Sequence, residues 1–413
     1  MIDIKLIRDH PEVVGESLKK RNLNINLDEI LDLYKKQTLL IQKLETLRAE
    51  RNKIAQEDSL ENRARGKEIK EELKKLEPEI KLIQELLQQK LAILPNIVSP
   101  LAPVGKDESE NITLRKHGDI PNFDFIPKDH LALARNLDLI DFESGAKVAG
   151  SQFFFLKNDA VFLELALVHY ALDTLIKEKF TPWITPDLAK SQYYLGTGYL
   201  PKGPEAQIYT ITDQDLGLIA TAEITLAGIH AGETLDEDYL PKKYVGYSHC
   251  FRVEAGGYGR YSKGLYRVHQ FTKVEMFVYS LPSESEKIHQ YLLSLEEKIF
   301  QGLKIPYRVL EMCTGDLGSQ AARKFDIEAW MPGRNDYGEV TSTSNCTDYQ
   351  ARNLNIKVKM KNNETAYAHM LNGTAIATPR AIIAILENYQ QKDGSILVPE
   401  VLQPYMGKDK ITK

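Results

Sequence analysis

Cysteine is scarce in this chain. Its 413 residues include only Cys250, Cys313 and Cys346. They stand far apart, with neither the paired spacing of a zinc site nor the even number of a disulfide framework. We therefore expect no zinc and no disulfide scaffold, and a reducing compartment such as the cytoplasm.

Other common signals are missing as well. No apolar run reaches membrane-spanning length, and the start, MIDIKLIRDHPEVV, has early acidic residues and no apolar core, so we expect neither a signal nor a transit peptide. Neither GxGxxG nor GxxxxGK[ST] occurs, which excludes the two common nucleotide-binding fingerprints. The net charge of −5 argues against nucleic-acid binding over the whole surface but allows a local basic element.

The N-terminal quarter carries apolar residues in a heptad rhythm. After a short helix and a loop to about residue 25, the first series comprises Leu40, Leu44, Leu47 and Ile54. The second, after the polar break EDSLENRARG, comprises Ile69, Leu73, Leu76, Ile80, Ile83, Leu87 and Leu94. Alternating steps of three and four are typical of a coiled-coil seam. We predict an antiparallel helical hairpin over residues 28–93, weakened at Pro78.

The surface of this predicted hairpin is rich in Lys and Arg. These residues are Arg48, Arg51, Lys53, Arg63, Arg65, Lys67, Lys70, Lys74 and Lys75. Glutamates are interspersed, so one interpretation is an ordinary solvated face. The other is an arm that grips RNA, because RNA helices are recognised mainly through shape, phosphates and 2′-hydroxyl groups.

A proline-containing stretch, LPNIVSPLAPVGKDESEN, separates the hairpin from the rest of the chain. We place a domain boundary there, giving domains 1–100 and 101–413. In the second domain, strand patterns do not alternate regularly with helices, which favours an α+β fold with a mostly antiparallel sheet. An amphipathic helix is predicted over residues 161–179, with one side formed by Phe162, Leu165, Leu172, Leu175 and Ile176.

The segment CFRVEAGGYGRYSKGLYRVHQFTKVEMF, residues 250–277, carries the strongest chemical signal. It predicts two strands joined by a glycine-rich basic loop. If the second strand starts at Arg267, period-two alternation puts Arg267, Phe271 and Glu275 on one face. Arg252 and Glu254 share a face of the first strand. An aromatic ring, arginines and carboxylates in this arrangement suit a flat anionic ligand, whereas the simpler interpretation is a salt-bridged surface hairpin. Val274, Met276 and Val278 lie on the opposite, core-facing side.

This segment resembles motif 2 of class II aminoacyl-tRNA synthetases, and GLYRVHQFTKVEMF is similar to the seryl-tRNA synthetase form of it. The triplet Thr221-Ala222-Glu223 resembles the serine-contacting triplet of that family. EVTSTSN, from Glu339, resembles the segment under the nucleotide, with Glu339 and Ser342 near the metal. These two residues differ in strand parity, so a bulge or turn is needed to bring both into one site.

The run LNGTAIATPRAIIAILENYQ resembles motif 3 of the same family. Asn372 and Thr374 should share a strand face. We predict that Thr378 is the N-cap and Pro379 the first residue of the following helix. Arg380 then lies in the first turn, where backbone N–H groups already favour an anion.

Motif 1, the dimer-forming motif, is matched more weakly by FTPWITP. Phe180, Trp183 and Pro186 fit the pattern, but Lys179 stands where the family often has glycine. Val253 and the loop tip GGYGRYSKG also depart from common forms. These departures put contacts with the tRNA acceptor end in question more than the chemistry.

The resemblance implies activation of L-serine with ATP, giving seryl-adenylate, and transfer of serine to the 3′ end of tRNA(Ser), with tRNA(Sec) as a second candidate acceptor. Its implied catalytic residues are Arg252, Arg267 and Arg380. Its implied ATP-binding residues are Arg252, Val253, Glu254, Val268, Phe271, Glu339, Val340, Thr341, Ser342 and Arg380. Its implied serine-binding residues are Thr221, Ala222, Glu223, Arg252, Glu275, Asn372 and Thr374.

The resemblance also implies Mg²⁺ held with ATP by Glu339 and Ser342, and a homodimer without membrane attachment. One alternative is a class II synthetase-like ligase that loads an amino acid onto a carrier other than tRNA. Such relatives lack the long arm predicted here. A second alternative is a non-enzymatic coiled-coil protein, which gives no reason for Arg252, Arg267, Glu339 and Arg380 to occur together.

Overall fold

The computed structural model describes residues 2–56, 59–200, 206–254 and 264–413. The chain divides into two compact units, Met1–Ile97 and Val98–Lys413. In the described residues, no helix is both long enough and apolar enough to cross a membrane.

The first unit is helical. Its helices are α1 (Ile4–Asp9), α2 (Pro11–Lys20), α3 (Leu27–Ile54) and α4 (Leu60–Ala92). Asn26 and Ser59 cap α3 and α4 by accepting hydrogen bonds from backbone N–H groups of the first turn. Two short helices therefore replace the single one predicted before residue 25. The antiparallel pair α3 and α4, called the arm below, confirms the predicted hairpin.

The arm is held together by the heptad residues. Its outer part buries Leu47, Ile69, Leu73 and Leu76, against which Leu40, Leu44, Ile54 and Ile80 pack. Its base joins α1 and α2 in a second cluster that includes Ile7, Val14, Ile30, Leu87, Leu91 and Leu94. α4 runs through Pro78 without ending. The hydrophobic period thus located both helices, since each buries a single stripe.

The second unit contains the strands. Their bounds are β1 (Ile112–His117), β2 (Ile140–Asp141), β3 (Phe155–Leu156), β4 (Thr181–Ile184), β5 (Leu188–Ala189), β6 (Gly217–Leu218), β7 (Thr234–Asp236), β8 (Lys242–Phe251), β9 (Gln270–Ser280), β10 (Tyr307–Glu311), β11 (Arg323–Met331), β12 (Asp336–Asn345), β13 (Lys357–Lys359), β14 (Thr365–Tyr367), β15 (His369–Ala377), β16 (Ile396–Leu397) and β17 (Lys410–Ile411). Among the described residues, eight strands form one sheet in the order β1-β10-β11-β12-β15-β9-β8-β4. All its pairs are antiparallel except β4 with β8. The predicted α+β class is confirmed.

Helices of the second unit cover this sheet. They are α5 (His130–Asn136), α6 (Phe142–Ala149), α7 (Asp159–Lys177), α8 (Ser191–Gly196), α9 (Ala222–Gly228), α10 (Ser285–Gly302), α11 (Tyr349–Leu354), α12 (Thr378–Asn388) and α13 (Gln403–Met406). The main core contains residues of α7, α10 and α12 together with Val274, Met276 and Val278 of β9. The prediction that these three side chains face a core is therefore confirmed.

The predicted apolar side of α7 is wrong in part. Leu175 is buried, but Phe162, Leu165 and Ile176 are 56%, 48% and 48% exposed. The buried side instead includes Leu163 and its neighbours one turn on. This helix is apolar on two sides, so its period alone does not decide which side packs on the sheet.

Candidate active site

A cavity of about 210 Å³ opens on the face of β9 opposite the core. Its lining residues include Tyr199, Glu223, Arg252, Glu254, Arg267, Val268, Phe271, Lys273, Glu275, Lys324, Glu339, Val340, Thr341, Ser342, Asn372, Thr374 and Arg380. Side chains from β9, β12, β15 and the first turn of α12 thus meet at one place. Most of the residues singled out in the sequence belong to this set.

Three of these residues reach the cavity from outside the strands predicted to carry them. β8 ends at Phe251 and β9 begins at Gln270, so Arg252, Glu254 and Arg267 lie beyond strand ends. Glu254 has a φ of 53°, a left-handed conformation that no strand permits. The predicted face-sharing of these residues by strand alternation is therefore wrong, although the site they form is present. The loop tip GGYGRYSKG lies, apart from Gly264, outside the described residues.

The aromatic and arginine side chains predicted to hold a flat anion are in contact. The Arg252 guanidinium lies over the Phe271 ring, 5.2 Å from its centroid, and Nε of Arg252 donates to the carbonyl of Ala220 at 3.4 Å. The Arg267 guanidinium pairs with the Glu254 carboxylate. This end of the cavity therefore contains an aromatic ring and two guanidinium groups, one of which is stacked on the ring.

A bulge in β12 solves the parity problem of Glu339 and Ser342. In the β11–β12 ladder, Ile327 pairs with Thr341 but Glu328 pairs with Glu339, which leaves Val340 as the extra residue. The bulge shifts the alternation by one position. Both Glu339 and Ser342 consequently line the cavity, as the sequence argument required.

Arg380 occupies the first turn of α12, as predicted. The helix begins at Thr378 after Ala377, so Thr378 is the first helical residue rather than the N-cap, and Pro379 is the second. The hydroxyl of Thr378 donates to the Thr272 carbonyl at 3.2 Å instead of capping the helix. Helix α12 is thus fixed to β9 by a side chain that the sequence assigned to a cap.

The Arg380 side chain forms an ion pair with Glu339, with Nη1 and Oε1 2.8 Å apart. Burial alone would raise the pKa of Glu339, but Arg380 and Lys324 outweigh it and lower the pKa to about 2. A carboxylate that stays ionised through the neutral range is available to a cation. On the neighbouring strand, burial raises the pKa of Asp326 to about 6, although Lys324 lies 3.2 Å away.

Glu223 lies at the inner end of the cavity and is held by neutral donors. Its carboxylate accepts hydrogen bonds from Tyr199 Oη at 2.8 Å, Gln350 Nε2 at 2.7 Å and Asn372 Nδ2 at 3.0 Å. Burial, and then the nearby Glu275, raise the pKa of Glu223. A buried carboxylate whose hydrogen-bond partners among the described residues are all neutral is a natural site for a ligand ammonium group.

Glu275 lies beside Glu223 but has a different set of partners. Its Oε2 accepts from Thr374 Oγ1 at 3.1 Å and lies 2.5 Å from Nζ of Lys273. Among the described residues, none donates to Oε1, although Glu275 lines the cavity. One carboxylate oxygen is therefore fixed by the protein, and the other is available to a ligand.

The structure does not bring every predicted residue to the cavity. Thr221 and Ala222 are fully buried at the start of α9, where Thr221 caps the helix by accepting from the backbone N–H of Glu223 at 3.2 Å. Val253 is likewise absent from the lining set. Of the triplet, Glu223 alone presents its side chain, and the other two residues position it.

Sequence reasoning missed three polar residues of this site as contributors. Neither Tyr199 nor Lys324, which lies in β11, carries a motif signal. Lys273 stands two residues from Phe271 and from Glu275, so strand parity places it on their face of β9 as a neighbour of Glu275. Each contributes a charge or a donor that the motif comparison had not assigned.

Two family models match the chain. Residues 1–98 match the seryl-tRNA synthetase N-terminal domain, and residues 209–389 match the tRNA synthetase class II core domain (G, H, P, S and T). A relative named serine–tRNA ligase from Dictyoglomus thermophilum is 58% identical, with 100% of this chain and 99% of the relative covered. This chain belongs to the seryl-tRNA synthetase family. It is an enzyme of the aminoacyl-tRNA ligase class, as the sequence predicted.

Further members of the family agree with this assignment. The serine–tRNA ligase of Treponema denticola is 50% identical over the whole of both chains. Among solved structures, the seryl-tRNA synthetase of Pyrococcus horikoshii complexed with ATP has a TM-score of 0.90 and 44% identity, covering 100% of this chain and 99% of that one. Full-length agreement, arm included, favours a serine–tRNA ligase over a ligase for another carrier.

Proposed function

We propose that this chain joins L-serine to ATP, forming seryl-adenylate and pyrophosphate, and then transfers serine to the 3′ end of tRNA(Ser). The observation that carries this proposal is the pairing of two contrasting ends in one cavity. Phe271 and Arg252 offer a ring and a guanidinium at one end, and Glu223 and Glu275 offer two buried carboxylates at the other. A nucleotide joined to a small amino acid has this distribution of charge.

The nucleotide end supplies positioning and charge neutralisation. Phe271 stacks on the adenine, Glu254 helps to fix the nucleotide, and Arg252 bridges the serine carboxylate and the α-phosphate. Arg267 and Arg380 hold phosphates. Phosphoryl and nucleotidyl transfer require mainly in-line positioning and stabilisation of developing charge, which arginine side chains in a closed cavity provide. The ATP bound to the related Pyrococcus horikoshii structure supports this use of the cavity.

Mg²⁺ fits the donor set at the β12 bulge. Glu339 and Ser342 offer a carboxylate and a hydroxyl oxygen, and the lowered pKa of Glu339 keeps its carboxylate ionised. Mg²⁺ in such sites takes one or two protein ligands together with substrate phosphates. The ion would neutralise phosphate charge. We infer no zinc requirement, because Cys250, Cys313 and Cys346 are separately buried.

The serine end distinguishes the substrate by two carboxylates. Glu223 accepts the ammonium group, because its present partners are neutral donors. Glu275, with Thr374, receives the serine hydroxyl on its open oxygen. Asn372 aligns Glu223 through its amide at 3.0 Å. Thr221 and Ala222 act through the position of α9.

The arm serves tRNA binding in this proposal. Residues 1–100 form the tRNA-binding domain and residues 101–413 the catalytic domain. Part of the arm's basic surface is already paired: Arg65 with Glu50, Glu68 and Glu72, and Arg48 with Glu77. Within the described part of the arm, Arg51, Lys53, Lys67 and Lys70 form no such ion pair, so they are available for phosphates. tRNA(Sec) is a second acceptor to be tested by charging.

A homodimer is supported by exposed apolar side chains of the catalytic unit. Phe162 and Leu165 of α7 are about half exposed, and Ile184 of the edge strand β4 is 82% exposed. Trp183 of the same strand is 39% exposed. Exposed apolar surface around an edge strand is typical of an interface, and this is the segment that resembles motif 1. We propose that the dimer acts in the cytoplasm.

Glu275→Gln tests the serine assignment. We expect loss of most activity and a fall in the serine-to-alanine ratio of kcat/KM, because a site built to hydrogen-bond a hydroxyl rejects the analogue without one by roughly 10⁴-fold. Pyrophosphate exchange with serine, alanine and threonine measures this. Glu254→Gln, which changes an acid at the nucleotide end, is the matched control and should leave the ratio unchanged. An unchanged ratio in Glu275→Gln would contradict the assignment.

A further inference from the structure

Among the described residues that line the active-site cavity, Lys273 is the most deeply buried cation. Its side chain is 6% exposed, and that of its partner Glu275 is 2% exposed. It projects from the middle of β9, two residues from Phe271 and two from Glu275, and lines the same cavity. Burying a lysine is costly unless it is paired, so a lysine at this point requires a reason.

The reason lies in the balance of charge at the serine end. Glu223 accepts hydrogen bonds from the neutral side chains of Tyr199, Gln350 and Asn372, so none of these three contacts balances the charge of its carboxylate. The carboxylate of Glu275 is balanced by Lys273. The two acids together thus leave one uncompensated negative charge, which matches the single ammonium group of an amino acid with a neutral side chain.

We propose that Lys273 is a specificity-determining positioning residue, which holds Glu275 as a charge-balanced acceptor so that the pocket takes a hydroxyl and rejects a second cation. This inference rests on the proposed function of Glu275. Lys273 and Thr374 both contact Oε2, so Oε1 is the oxygen left for a substrate hydroxyl. The substrate most sharply excluded is 2,3-diaminopropionate, which carries an ammonium group where serine carries its hydroxyl.

Replacement of Lys273 should change the pH dependence of serine activation. The pKa of Glu223 is raised by burial and by Glu275 and lowered by Lys273, so removal of the lysine raises it further. As the pH falls, the Glu223 carboxylate would then be protonated, and lose its negative charge, at a higher pH than in the wild type. The other titratable or charged groups packed around these residues are Tyr199, Cys250, Arg252, Glu296 and Cys346. None of these five side chains carries an ammonium group, so Lys273 supplies the ammonium group that pairs with Glu275.

Lys273→Met, Lys273→Arg and the double variant Lys273→Met/Glu275→Gln test the proposal by pyrophosphate exchange with serine, alanine and 2,3-diaminopropionate over a range of pH. We expect the serine-to-alanine ratio of kcat/KM to fall at least tenfold in Lys273→Met. The acid limb of its serine profile should move to higher pH, and use of 2,3-diaminopropionate should rise at least tenfold relative to serine. Lys273→Arg should restore much of the serine preference, since it keeps the charge.

Lys324→Met is the matched control, because Lys324 lines the same cavity and pairs with Asp326 but does not contact Glu275. It should leave the amino-acid ratios unchanged. The double variant removes both charges of the pair, so it provides a test if Lys273→Met does not fold. It should lose the preference for serine over alanine without an increase in the use of 2,3-diaminopropionate. Unchanged ratios and an unmoved pH profile in Lys273→Met would overturn the proposal. If Glu275→Gln also left the serine-to-alanine ratio unchanged, the proposed function of Glu275 itself would fail.

Discussion

His289 should make the catalytic unit sensitive to acid. It lies on α10 with no exposed surface, and its Nε2 donates to the carbonyl of Thr343 on β12 at 3.1 Å. Its ring lies 4.8 Å from that of Phe325, and its Nδ1 has no partner among the described residues. Burial lowers the pKa of His289 from 6.5 to about 4. A buried neutral imidazole therefore supports the strand that carries Ser342.

The sign and size of the effect follow from linkage. A proton binds His289 more tightly in the unfolded chain than in the folded one. The contribution of the neutral imidazole to the free energy of unfolding is therefore complete above pH 6.5 and is lost as the pH falls towards 4. Each pH unit in that interval corresponds to about 1.4 kcal/mol, which gives about 3 kcal/mol in total and about 2 kcal/mol at pH 5. His289→Gln removes the titration while keeping an amide that can donate to Thr343.

Tryptophan fluorescence isolates this unit, because both tryptophans, Trp183 and Trp330, belong to it. Urea unfolding at pH 7 and pH 5 should show that the wild type loses about 2 kcal/mol more than His289→Gln over this interval. His117→Gln, which replaces an exposed histidine, should behave as the wild type. Parallel losses in the wild type and His289→Gln would refute the argument that burial keeps this imidazole neutral.

Two further predictions concern the substrates. Arg380→Ala should raise the KM for ATP in pyrophosphate exchange roughly 10- to 100-fold, the equivalent of a charge-assisted hydrogen bond, with a smaller effect for serine; a defect confined to serine would contradict the phosphate assignment. Removal of residues 40–80 spares Ile30, Leu87 and Leu91 at the base of the arm, whereas removal of all of 28–93 would not. The shorter deletion should leave pyrophosphate exchange nearly intact and lower the rate of tRNA charging at least roughly a hundredfold, because it removes side chains proposed to bind tRNA phosphates. Equal losses in both assays would mean that the arm supports the catalytic fold.

Hydrophobic periodicity and sequence motifs predicted those parts of the fold in which a residue pattern is compatible with a single structure. The heptads of α3 and α4 located the arm, since only a helix places such residues on one stripe. The failure on α7 has the opposite cause: Phe162, Leu165 and Leu175 satisfy the same period, but only Leu175 meets the sheet. An exposed apolar side cannot be told from a buried one until the partner surface is known.

The site was predicted in its membership more successfully than in its geometry. Alternation assigned Arg252, Glu254 and Arg267 to strands, whereas these residues lie beyond strand ends. The bulge at Val340 was inferred only from the roles that the resemblance assigns to Glu339 and Ser342. No local sequence pattern predicts a bulge at this position. Long-range ion pairs, such as Arg380 with Glu339, depend on strand order, which the sequence pattern does not specify.

The order of the cavity-facing side chains along β9 follows from the same alternation that packs the core. Phe271, Lys273 and Glu275 occupy successive positions on the cavity face, so the backbone positions of Phe271 and Glu275, the proposed base and hydroxyl contacts, are about 13 Å apart at 3.3 Å per residue. Val274 and Met276 on the opposite face are fully buried. A one-residue slip of β9 would expose these side chains and bury the charged ones. Hydrophobic packing therefore fixes the register in which β9 presents these three side chains to the cavity, and with it the spacing of the proposed nucleotide and amino-acid contacts.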